Sequence, residues 1–218
     1  MGRANGDALI DSGATRHSSG PRLPAKMSIS AHQGYLPGCI GRIAQLHALF
    51  YSATAGFGVD FEAGVAKELA AFCLNYNPGR DGLWLAVDGG GAIQGSIAIE
   101  GTQAGATGAH LRWFITSDQV RGQGIGTRLL GSAMDFCAAQ GYECVYLWTF
   151  DELLAARHLY EKFGFRLERA QPGARWGKEV NEQLFVRHQA QPDQAPAVRP
   201  ATAPQNSVAP RQSRRTKR

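Results

Sequence analysis

The run Val120-Arg121-Gly122-Gln123-Gly124-Ile125-Gly126-Thr127 is where this sequence most clearly offers chemistry. A strand that runs into closely spaced glycines and then a helix aims backbone N–H groups, and the positive end of the helix dipole, at one small volume, which suits a phosphate or pyrophosphate. Spacing narrows the choice. No Lys-Ser/Thr follows the loop, so a Walker A site is excluded. Glycines at 122, 124 and 126 do not form G-x-G-x-x-G, and the upstream context reads as antiparallel rather than βαβ, which argues against a dinucleotide fold. Arg-x-x-Gly-x-Gly remains. The competing reading is a tight turn and nothing more. Against it stand Arg121 leading the loop, a strand before it and a helix with a clean apolar face behind it.

Other reactive residue types form no such pattern. Cys39, Cys73, Cys137 and Cys144 make no CxxC pair, and the six histidines make no HExxH, so a reduced, cytoplasmic, metal-free protein is expected. The chain has 218 residues, 44% of them hydrophobic, with a formal net charge of +5, which fits one globular domain with tails. Residues 1–27 carry +2 and residues 189–218 carry +5, leaving the middle at −2. The basic balance therefore belongs to the ends. The Ala/Pro/Gln-rich segment 189–218 has too little apolar surface to offset the entropy of ordering, and reads as a disordered basic tail making at most weak, salt-dependent nucleic-acid contacts. Residues 1–27 read as a second disordered tail, lacking a signal-peptide apolar core, with Met27 as a candidate start of translation. No stretch approaches the roughly 18 apolar residues that span a bilayer, so no membrane partner is expected.

The elements that must position the glycine loop follow from periodicity. Ile40, Ile43, Leu46 and Phe50 predict a helix over 37–54, and Phe61, Val65, Leu69 and Phe72 a second one behind a candidate cap at Asp60. Runs 83–87 and 93–99 flank Asp88-Gly89-Gly90-Gly91 and read as an antiparallel hairpin; a third strand is expected at 110–116. After the loop, Ile125, Leu129, Ala133, Met134 and Cys137 share a helix face that ends at Gly141. A short strand follows at 144–149. Thr149 and Glu152 then form a capping-box pattern before a helix carrying Leu153, Ala156, Tyr160 and Phe163 on one side, stopped by Gly164. Strands are expected at 165–169 and 183–187. The order ααβββαβαββ is one α+β domain over 28–188.

With these elements in place, the chain resembles the GNAT superfamily of N-acetyltransferases. Arg121 to Gly126 matches its Arg/Gln-x-x-Gly-x-Gly/Ala acetyl-CoA signature. Ala156 to Phe165, Ala-Arg-His-Leu-Tyr-Glu-Lys-Phe-Gly-Phe, matches the segment after the family's fifth strand. The likeness spans about residues 35–188. Pro37-Gly38, Leu111-Arg112, Leu147-Trp148-Thr149 and Ala155-Ala156-Arg157 resemble the acetyltransferase half of bacterial fusions between a MarR-type regulator and a GNAT domain.

That resemblance implies a mostly antiparallel central sheet flanked by helices, in which the strand ending at Thr116 and the strand 144–149 splay to admit acetyl-CoA. By position, the backbone of Phe114, Ile115 and Thr116 would pair with the pantetheine. The loop Gly122, Gln123, Gly124, Ile125, Gly126 and Thr127 would hold the pyrophosphate, through the N–H groups of 123, 124, 126 and 127, with Arg121 adding a charged contact. The implied reaction is attack of a primary amine, expected on a small molecule, on the acetyl thioester within a ternary complex. Tyr160 stands where the family often has the acid for the leaving thiolate; the competing role is a core aromatic. Glu100 is the candidate base, the competing role being a solvated strand end. Asp118 is read as shaping the turn, and His110 and His158 as structural or exposed. The family's frequent Asn is Leu153 here. His47, Tyr51, Phe57 and Trp176 are candidates for the acceptor pocket. The alternative is a non-catalytic acetyl-CoA-binding regulatory module, and a homodimer is left open.

Overall fold

A computed structural model of the chain describes residues 28–189. The expected tails lie almost wholly outside these residues. Seven strands form one sheet in the order β1-β2-β3-β4-β5-β7-β6. These are β1 (Ile29–Gln33), β2 (Gly82–Asp88), β3 (Ile93–Glu100), β4 (Ala109–Thr116), β5 (Cys144–Phe150), β6 (Arg166–Gly173) and β7 (Val180–His188). Four helices accompany them: α1 (Cys39–Ala55), α2 (Val59–Leu74), α3 (Ile125–Ala139) and α4 (Leu154–Lys162). Every pairing is antiparallel except β4 with β5. The α+β sheet flanked by helices is thus as expected.

Both faces of the sheet are covered. Leu83, Leu85 and Ala98 pack against Ile43, Leu69 and Phe72 of α1 and α2. Their neighbours Trp84, Ile97 and Ile99 face Leu129, Leu130 and Met134 of α3. Period-2 strands sandwiched between helix layers become apolar on both sides, which is why Leu83–Val87 of β2 and Ile97–Ile99 of β3 read as unbroken hydrophobic runs. Leu130 has no exposed surface, so truncating it to Ala costs about 2–5 kcal/mol. The β2–β3 turn is held by Asp88, whose Oδ1 accepts from the N–H groups of Gly90 and Ala92, both at 2.9 Å, with Gly91 at φ +84°.

Three expectations are corrected. The sequence pattern marks no strand at Ile29–Gln33, yet β1 forms there: it is mostly exposed and held by its ladder to β2, so it lacks the alternating apolar pattern. Asp60 lies in the first turn of α2, where its charge suits the dipole, while Gly58 occupies the cap. Thr149 is no cap either: it is a buried residue of β5 paired with Gln183, and α4 begins at Leu154 without a side-chain cap. Strand pairing outcompetes the local capping pattern there. The last strands are also longer than their apolar runs. β6 is the exposed edge, which tolerates Pro172.

Candidate active site

The sheet opens between β4 and β5. They pair only at Ala109↔Val145 and His110↔Tyr146; beyond that β5 continues with β7 as far as Phe150, and β4 with β3 as far as Thr116. A wedge forms between the two strands, and a cleft of about 320 Å³ lies in it, walled by Leu111 to Phe114 on one side and Leu147 to Phe150 on the other.

Inside this wedge β4 is bulged. Ser96 opposes Ile115 and Ala98 opposes Arg112, so Ile97 alone faces Trp113 and Phe114. Trp113 has φ +46°, a value that a non-glycine residue adopts only where its surroundings impose it, and its carbonyl accepts from Ser96 Oγ at 2.7 Å. The bulge switches the parity of the strand. Ala109 and Leu111 pack toward α3, Trp113 toward α1 and α2, and Phe114 again toward α3. The consecutive apolar residues Trp113-Phe114-Ile115 were the available sequence signal for this break in alternation.

The glycine loop follows β4 directly. Gln94, a buried residue of β3, ties the approach down: its carbonyl accepts from Ser117 N (2.7 Å), its Oε1 from Ser117 Oγ (2.6 Å), and its Nε2 donates to Asp88 (2.7 Å). After a single 3-10 turn at Asp118–Val120, Gly122 and Gly124 take φ +77° and +76°, the left-handed region that glycine tolerates. A Cβ at either would meet nothing within 4 Å, so the space above the loop is open. The first backbone bond of α3 runs from Arg128 N to the Gly124 carbonyl, leaving the N–H groups of Ile125, Gly126 and Thr127 without intrahelical partners. Gln123 differs from the expectation: its N–H is spent on the Val120 carbonyl at 3.3 Å. At Gly126 a Cβ would make only ordinary contacts, with Phe114 and Leu159 at 3.4 and 3.5 Å. Arg121 pairs with Asp118 and lies over the Phe50 ring at 5.1 Å, half exposed beside the loop.

Tyr160 of α4 lines the cleft, 6.0 Å from Phe114 between ring centroids and 6% exposed. Burial, with a smaller contribution from Tyr51, pushes its phenol well above the ordinary range, so it stays protonated. His47, Tyr51, Phe57 and Trp176 all line the same cleft. Tyr51, Phe57, Phe61, Phe150 and Trp176 form a continuous aromatic cluster, with centroid separations of 5.0 to 6.1 Å. The Trp176 loop is secured to α1 by Lys178 Nζ, which donates to the Ala55 carbonyl at 2.6 Å.

Glu100 is not brought to this group. It lines a second hollow with Asp81 and Arg80, and its carboxylate accepts from Arg112 Nη1 at 3.0 Å. Arg112 also binds Glu68, so the Glu68–Arg112–Glu100 chain stands where the two hollows meet. His110, read from the sequence as structural or exposed, instead lines the cleft at the point where β4 and β5 part, stacked 4.4 Å from Tyr146. Burial, aided by Arg112 and Arg175, holds its pKa down at about 3, so it is neutral. Arg175 and Glu182 had no sequence signal, since their partnership depends on the β6–β7 turn. Among the described residues, no group of three or more His, Cys, Asp or Glu could hold a metal ion, and no helix is long and apolar enough to cross a membrane.

A mixed seven-stranded sheet, flanked by helices and splayed at its one parallel pair, is a fold the chain shares with solved acetyltransferase structures. The chain belongs to the GNAT acetyltransferase family, whose sequence profile matches residues 46–165 and whose members generally transfer an acetyl group from acetyl-CoA. Solved structures agree on the fold. A GNAT-family acetyltransferase from Staphylococcus aureus Mu50 superposes with a TM-score of 0.58 at 18% identity, covering 74% of this chain and 99% of its own. For Arabidopsis thaliana NAA60, solved with a bisubstrate analogue, the values are 0.56, 17%, 74% and 98%. An acetyltransferase from Streptococcus agalactiae gives 0.56, 20%, 76% and 99%. No curated protein matches the chain significantly.

Proposed function

We propose that this protein is an N-acetyltransferase that moves the acetyl group of acetyl-CoA to the primary amine of a small molecule. The observation that carries this reading is the conjunction of open amides at the start of α3 with a bulged, unpaired edge of β4 facing Tyr160. The residues present fit acetyl-CoA. Both left-handed glycines leave open space, the α3 amides favour anions, and the splay leaves an edge of β4 without a strand partner. Gly124, Ile125, Gly126 and Thr127 would bind the pyrophosphate with Arg121, and Phe114 to Thr116 would pair with the pantetheine.

Acetyl-CoA supplies the activated thioester. The chain supplies position and protons: the bulge at Trp113–Phe114 frees backbone groups from the ladder to orient the acyl oxygen, and Tyr160 keeps a proton at Oη for the leaving sulfur. A volume of about 320 Å³ is at the small end of small-molecule sites, roughly 300–1,000 Å³, and its aromatic walls favour a compact acceptor over a folded protein.

Two measurements test the reading. Acetyl-CoA should raise the melting temperature where NAD and ATP do not, and amines should drive release of free thiol. Absence of stabilisation by acetyl-CoA overturns the proposal; stabilisation without thiol release across a broad amine panel leaves a binding module without turnover.

A further inference from the structure

Arg175, in the turn between β6 and β7, is held as a ligand-binding guanidinium would be. Its Nε donates to Glu182 Oε2 at 3.3 Å and its backbone N–H to Glu182 Oε1 at 2.8 Å. Glu182 is 4% exposed and set in β7, so its orientation is not free to change. The guanidinium lies over the Trp148 indole, 3.9 Å from the ring centroid. These contacts occupy one edge and one face. Nη1 and Nη2 have no partner among the described residues, and Arg175 lines the cleft. Arg112, the other guanidinium of the cleft, differs in this respect: its two Nη groups are taken by Glu68 and Glu100.

The remaining charges define what such a fork would meet. The carboxylates lining the cleft are Asp60 and Glu68, both on α2, and they equal the two guanidinium groups in number. A site for polyamines or other polycations would gather an excess of acid, and this one does not. The rings of Tyr51, Phe57, Phe150 and Trp176 line the same cleft. A compact acceptor with an apolar body, one amine and one carboxylate matches these features together. A planar guanidinium with both Nη groups free is suited to hold a carboxylate through two parallel hydrogen bonds.

We infer that Arg175 binds the carboxylate of the acceptor, and that the acceptor is an amino acid with an apolar or aromatic side chain. The inference rests on the acetyl transfer proposed above. In the reaction the amine nitrogen forms a bond to the acetyl carbon as the C–S bond breaks. The nitrogen gives up one proton and the departing sulfur gains one, yielding the N-acetyl amino acid and free CoA thiol.

The test uses the full chain, acetyl-CoA and a panel of L-amino acids, each beside its amide and its decarboxylated amine. Apolar and aromatic amino acids should exceed their amides and decarboxylated counterparts in kcat/KM by about ten- to a hundredfold, the span of one charged hydrogen-bonding contact. Arg175→Gln should abolish that preference mainly through KM, with acetyl-CoA affinity by calorimetry unchanged. Arg175→Lys, which keeps the charge and loses the fork, should fall between, and serves if the glutamine variant does not fold. Equal use of amides or decarboxylated amines, or a preference that survives both substitutions, overturns the inference. So does a chain that binds acetyl-CoA and acetylates none of these amino acids, which leaves acetyl-CoA binding standing; failure to bind acetyl-CoA overturns both readings.

Discussion

The glycine loop and the acceptor wall serve the same wedge but are built from different materials. The loop is eight consecutive residues whose proposed contacts are backbone amides, with glycine at 122 and 124 because glycine takes those φ values without strain. The wall is made of side chains from α1, α2, β4, β5 and the β6–β7 turn, and the contact that secures it, Lys178 to Ala55, joins residues 123 positions apart. One site is local and the other is long-range. It follows that the loop should be sensitive to backbone conformation, and the wall to volume, charge and burial.

The largest expected effect falls where the two regions meet. Tyr160→Phe should keep the aromatic packing and acetyl-CoA affinity while lowering kcat by about 10²–10⁴-fold, the usual worth of a positioned acid. Steady-state turnover beside calorimetric binding checks this, and full turnover in the variant removes the acid role.

Within the loop, Gly124→Val forces a β-branched residue to φ +76° and should cost about 1–2 kcal/mol of stability, together with a clear loss of acetyl-CoA affinity. Gly126→Ala meets only ordinary packing distances from Phe114 and Leu159 and should bind nearly as the parent does. If denaturant unfolding and calorimetry rank these two variants the other way, the backbone account of the loop is wrong.

Burial dominates in the wall, and pH should reveal it. His47 and His110 are neutral in the folded chain, with pKa values lowered from 6.5 to about 4 and about 3, chiefly by desolvation. The unfolded chain therefore binds more protons once pH falls below about 6.5, so their contribution is intact above that pH and declines as pH falls toward the folded values. The urea midpoint should be lower at pH 5 than at pH 7.5, and His47→Phe should reduce the difference. An equal drop in that variant would show that His47 is not responsible.

The smallest effect separates stability from fit. Gly64 lies inside α2 and faces the cleft, and a Cβ there would meet nothing within 4 Å. Gly64→Ala should stabilise the chain by up to about 1 kcal/mol, leave acetyl-CoA affinity alone and change acceptor KM by a few-fold. An unchanged KM across the acceptors would mean that the wall at α2 does not touch them.

Much of this molecule can be read residue by residue. The stripe Ile125, Leu129, Ala133, Met134 and Cys137 marks α3, and all five residues are buried where the period puts them. The loop was legible because its determinants are contiguous: glycine at left-handed positions, a preceding strand and a following helix. Pattern reading failed where a long-range partner outweighed a local preference. Thr149 carries a capping signature, yet the ladder to β7 claims it, and β1 exists only because β2 offers it an edge. The strand-end position of Glu100 points to the cleft, but Arg112 holds it in the neighbouring hollow.

Residue type and spacing are enough for the helix periods, the apolar strands, the two motifs of the family and the glycine loop, because each depends on residues within a few positions of one another. The tertiary structure alone decided that β4 bulges at Trp113 as it leaves β5, that His110 lies where those strands part, and that Glu182 aims Arg175 into an aromatic cleft. Those outcomes depend on strand register and on the packing of segments up to 123 residues apart, which no local pattern encodes.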